Sequence, residues 1–96
     1  MADFIFLMHD DCEADDSAWE PYLRRLQEIG CFQGGSVIGD GVCARKSGPP
    51  APITTHVVGF IRVNAHSLEK AKTLLAGNPV FEAGGTVEIR ELPRTD

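Results

Sequence analysis

Several things this chain lacks rule out whole classes of protein. Basic residues are scarce: nine Lys and Arg stand against fourteen Asp and Glu, a formal net charge of −5. No Lys/Arg cluster is present to neutralise a run of phosphates, so nucleic acid is not an expected partner. Long apolar runs are missing too. No stretch approaches the roughly 20 residues of a membrane span. The run in "MADFIFLMHDD" is too short for a secretory signal core and lacks a basic start. The cysteines, Cys12, Cys31 and Cys43, are three in number and form no C-x-x-C pair. An odd count argues against a disulfide framework and for a reducing, cytoplasmic setting. None lies beside an obvious base, so they read as inert. "GGSVIGDG" lacks the Lys-Ser/Thr of a phosphate loop, and no helix pattern follows it.

What is present fits one soluble domain over residues 1–96, with 43% hydrophobic and 24% charged residues. A chain this short builds only a modest core, so a second copy would help it. "DFIFLMH" is apolar on both alternating faces, Phe4, Phe6 and Met8 against Ile5 and Leu7, as a strand covered on both sides should be. "DDSAWEPYLRRLQEIG" predicts a helix that Asp15, Asp16 or Ser17 can cap. Its core stripe is Trp19, Tyr22, Leu23, Leu26 and Ile29; Pro21 lies in the first turn and Gly30 ends it. "CFQGGSVIGDGVCARK" reads as a weak, irregular strand, and Ser47 to Thr55 as a connector. "THVVGFIRVNA" is a second strong strand. "SLEKAKTLLAG" is a second helix, with Leu68, Ala71, Leu74 and Leu75 at helical spacing and Gly77 beyond its end. Gly-Asn-Pro then reads as a helix stop. "GTVEIREL" is an edge strand, polar on one face.

The order β-α-β-β-α-β predicts an α+β, ferredoxin-like fold with a four-stranded antiparallel sheet of order 4-1-3-2. Strands one and three are then central, which agrees with their apolar faces. Both helices cover one side of the sheet. A second copy is the simplest cover for the other, which makes a homodimer the expected assembly.

This topology gathers His9, Asp10, Asp11, Trp19, His56, Asn78 and Pro79 toward one end of the sheet. His9 ends the first strand and His56 begins the third, its antiparallel neighbour, so the two can approach. Imidazoles beside carboxylates such as Asp10 can serve as general acid and base. They can also ligate a metal, although no ligand spacing supports one and none is expected. They can equally just finish two strands at a wet rim. All three readings stay open at this point. Trp19 and Tyr22 read either as core or as the wall of a small-molecule pocket.

Several segments taken together carry a family resemblance: "FIFLMHD", "W-x-x-Y-L" running to Gly30, "GGSVIGDG", "GFIRVNAHSLEKAKTLLAGNP" and "GGTVEIRELP". In their order and spacing the chain resembles the YCII-related domain family. The resemblance implies the same ferredoxin-like fold, paired as a dimeric α+β barrel. It also implies a His–Asp dyad, the His in helix one and the Asp in an Asp-Pro after helix two. Elimination of the dehalogenase type on small aromatic compounds is suggested for some members. Here Trp19 holds the His position and Asn78-Pro79 the Asp-Pro position. Neither Trp nor Asn can take over the dyad's proton transfer.

Two functions follow as expectations. One is a homodimeric cleft doing acid–base chemistry without a cofactor, with His9 or His56 as base and Asp10 beside them. Trp19, Tyr22, Asn78 and Pro79 would then contact the ligand. The other is a non-catalytic ligand-binding or dimerisation module whose site has degenerated.

Overall fold

Phe4, Phe6 and Met8 of strand β1 (Ala2–His9) are buried, while Ile5 and Leu7 on its other face are half-buried. The computed structural model describes residues 1–94. Strand β1 lies between β3 (Val57–Ala65) and β4 (Val87–Leu92), antiparallel to both. Strand β2 (Phe32–Val37) adds to the far side of β3, giving the order β2-β3-β1-β4. Read from the opposite edge this is the expected 4-1-3-2. The fold is a ferredoxin-like α+β arrangement, and the two strands with two apolar faces are the inner ones.

All the helices pack on the face that carries Phe6, Ile61 and Val63. Asp15 caps a short 3-10 turn, Asp16–Ala18, by accepting from Ser17 N at 3.0 Å. Helix α1 (Trp19–Ile29) follows, with Tyr22 and Leu26 buried. Ile29 departs from the expected stripe and is 58% exposed. The helix stops at Gly30, and Cys31, the next residue, fills the core in its place. Helix α2 (Leu68–Thr73) starts on Ser67, whose Oγ accepts from Lys70 N at 3.1 Å. Ala71 and Leu75 are buried, whereas Leu68, in the first turn, is exposed.

Gly-Asn-Pro ends one helix and also starts another. Asn78 Oδ1 accepts from Val80 N at 3.0 Å and Phe81 N at 3.1 Å, capping α3 (Pro79–Glu82) with Pro79 in its first turn. Asn and Pro are favoured at these two positions for the reasons that operate here: a side-chain acceptor for orphan N–H groups, and a preset φ. Two glycines then carry the chain into β4. A Cβ on Gly85 would lie 2.5 Å from Cys12 Sγ and 2.8 Å from Val80 Cγ1, so only glycine lets the loop after β1 settle there. Asp11 in that loop fixes the approach by accepting from Thr86 N at 2.8 Å and Thr86 Oγ1 at 2.6 Å.

Candidate active site

The same end of the sheet brings the two predicted histidines together. The register slips between Met8 and His9, so that Met8 pairs with Gly59 and His9 with Val57. Such bulges re-aim side chains at sheet ends. Backbone bonds hold the turn on both sides: His9 N donates to Thr86 O at 3.0 Å and Asp10 N to His56 O at 2.8 Å. The His9 and His56 rings meet edge to face, with centroids 5.1 Å apart.

A third group joins them from the edge strand. His9 Nε2 lies 3.1 Å from Glu88 Oε1. The bond from His9, with a smaller contribution from Arg90, holds the Glu88 carboxyl below its ordinary 4.5. An ionised carboxylate only accepts, so the proton of this bond sits on Nε2. In the tautomer that donates from Nε2, Nδ1 keeps a lone pair that can act as a base. Glu88 was missed at the sequence level because alternating charges on an edge strand look like an ordinary solvated face. A carboxylate on β4 opposite Leu7, beside a His ending β1, is the signal that register alone could have supplied.

His9 borders a cleft of 510 Å³ between α1 and the β1/β3/β2 end of the sheet. Trp19 and Leu23 of α1, Met8, Ile61 and Val80 form its apolar lining. Asp10, Cys12 and Asp16 bring the loop after β1 to its rim. Of the predicted site residues, His9, Asp10 and Trp19 line this cleft. His56 does not; it is exposed and reaches the cleft only through the His9 ring.

Tyr22, Asn78 and Pro79 lie outside the lining, in the packed interior. Tyr22 turns its edge to Trp19, at 6.1 Å between centroids, and its hydroxyl donates to Leu74 O at 2.8 Å. Burial pushes its pKa up to about 12, partly offset by Asn78 and Arg25. Asn78 is completely buried. Its Oδ1 is committed to the α3 cap, and its NH2 has no partner in bonding geometry, though it stands near enough to favour the ionised Tyr22. The physical reason for the placement of Asn78 and Pro79 is the unpredicted α3. It turns the Asn78 side chain along its own axis and leaves Val80 to face the cleft. Among the described residues no group of His, Cys, Asp and Glu is arranged to hold a metal ion. No helix among them is long and apolar enough to cross a membrane.

No family model matches the sequence, and no curated protein sequence does. Among solved structures, the chain is similar to 5-chloro-2-hydroxyhydroquinone dehydrochlorinase from Burkholderia phenoliruptrix AC1100, in its complex with 2,5-dihydroxybenzoquinone. The TM-score is 0.54 at 13% identity, over 99% of this chain and 96% of that one. At that identity the likeness is one of fold. It agrees with the ferredoxin-like fold that the YCII resemblance implies.

Proposed function

We propose that this chain is a YCII-like small-molecule enzyme that carries out proton abstraction and elimination without a cofactor, with His9 as the base. The observation that carries this reading is the 3.1 Å contact between His9 Nε2 and Glu88 Oε1, His9 itself bordering an apolar 510 Å³ cleft that Glu88 does not line. The pair leaves Nδ1 as the proton acceptor, and the Glu88 charge stabilises the imidazolium that forms. In the elimination, His9 takes a proton from substrate carbon or hydroxyl. The freed electron pair forms a new double bond while an anion leaves with the pair of its own bond. His56 and Asp10 stand where the proton can be passed to water. Trp19 supplies a flat wall for a ring-shaped substrate. The fold shared with a dehydrochlorinase bound to a dihydroxyquinone favours hydroxylated aromatic rings as the substrate class.

The half-buried Ile5 and Leu7, with Val58 and Phe60, which also border the cleft, form the sheet surface that a second copy would cover, giving a homodimer. The competing reading, a ligand-binding module without turnover, draws on the core role of Asn78: the position that bears the family's carboxylate has become a helix cap. A panel of halogenated hydroquinones, followed by halide release across about pH 5 to 8 where imidazole titrates, separates the two. A rate that rises through this range in the wild type and is lost in His9→Gln supports the base. Tight binding with no halide release, or a flat profile, supports the module.

A further inference from the structure

The connection between β2 and β3, residues 38–56, is an exposed arm without strand or helix. It folds back on itself: Cys43 Sγ lies 3.6 Å from Pro52 O, and the Gly41 backbone faces Ile53. Gly48, at φ +79°, turns the end of the ribbon beside Arg45 and Lys46. The arm projects, and the chain's radius of gyration of 14.9 Å exceeds the roughly 13 Å of a compact domain this long. Val42 on it is 89% exposed, and no residue of 38–56 lines the cleft. So the arm does not lie on its own body.

The arm carries two bases, Arg45 and Lys46, against one acid, Asp40, whereas the loop after β1 at the same end of the sheet is wholly acidic. Residues 10–16 contain Asp10, Asp11, Glu13, Asp15 and Asp16 and no base, a local excess as large as the net −5 of the whole chain. Asp11 is committed to Thr86 and Asp15 to Ser17. Asp10, Glu13 and Asp16 have no side-chain hydrogen bond or ion pair among the described residues, and neither do Arg45 and Lys46. Unpaired bases on an exposed arm and unpaired acids at and beside a cleft rim are complementary, yet the chain does not bring them together within itself. A two-fold axis would, because a contact made once in such a dimer is made twice.

We propose that the arm of one copy closes over the cleft of a second, with Arg45 and Lys46 against Asp10 and Asp16 at its rim and Glu13 beside them in that copy. This rests on the homodimer reading and adds that the cleft is completed in trans. The test is sedimentation equilibrium of the full chain at about 0.05 M and 0.5 M salt, which screens rim charges strongly at the upper value. Arg45→Glu/Lys46→Glu and Glu13→Lys/Asp16→Lys are each expected to weaken dimerisation by about 3- to 30-fold at low salt, since exposed pairs contribute modestly. Mixing the two variants, or combining all four changes in one chain, should restore wild-type affinity, an outcome that damaged folding cannot produce. A dimer indifferent to both reversals, or no recovery on mixing, overturns the arm and leaves the homodimer and the His9 chemistry standing. A wild type that stays monomeric overturns the arm and the homodimer together.

Discussion

Tyr22→Phe distinguishes a tyrosine that supports the core from one that serves a pocket. In the folded chain Tyr22 is 3% exposed, and burial is the main cause that lifts its pKa from 10.0 to about 12. The sign follows directly. Between these two values the unfolded chain has lost the phenol proton while the folded chain keeps it. Stability contributed by the neutral phenol is therefore complete below pH 10 and disappears as pH climbs toward 12. At about 1.4 kcal/mol per pH unit, two units amount to at most about 2.7 kcal/mol. Near pH 8 the substitution costs a different quantity: the bond to Leu74 O is lost and a half-buried carbonyl is left unpaired, about 1–3 kcal/mol. The wild type should thus lead Tyr22→Phe by that margin at pH 8 and lose the lead above pH 11. Urea unfolding at several pH values measures both. Tyr22 is the chain's one tyrosine, so ultraviolet titration of the native protein reads its ionisation without interference. A native phenol ionising near pH 10, or equal alkaline slopes in the two proteins, would refute the burial argument.

Other outcomes follow from the same geometry. Glu88→Gln keeps the shape of the pair but removes the charge that stabilises imidazolium, so the reaction rate should fall about 10- to 100-fold with KM little changed, seen in steady-state kinetics. Gly85→Ala forces a methyl group against Cys12 and Val80 and should cost about 1–3 kcal/mol in denaturant unfolding. Asn78→Ala removes the cap of α3 at a cost of about 1 kcal/mol or more; Asn78→Ser should recover much of it, by the same measurement. The hydrogen bonds from Thr86 hold the Asp11 carboxyl below its ordinary 3.8, so their stabilisation is present above that value and lost as pH falls below it. Thr86→Val should flatten this acid limb of the stability profile.

How much could be read from residue order depended on how repetitive the signal was. Strands β1 and β3 were legible because alternation on both faces has one common solution, a central strand. Helix α1 was legible through its cap, its stripe and Gly30, yet Ile29 misled, since period alone does not tell where a helix outruns the sheet beneath it. The approach of His9 to His56 followed from topology. Helix α3 was overlooked because Gly-Asn-Pro is as good a beginning as an ending. With it went the placement of Asn78 and Pro79, which turned out to be core. Glu88 was hidden for the opposite reason: nothing local marks a carboxylate whose partner lies elsewhere in the chain.

That remoteness has a consequence for when the site comes into being. His9 and Glu88 are 79 positions apart, and Glu88 sits on β4, an outer strand and the fourth in chain order among the described residues. During synthesis the imidazole emerges 79 positions ahead of its partner and waits, unoriented, until β4 has followed. Any event that peels β4 away, from fraying to proteolytic nicking, disarms the base before the remaining fold is lost.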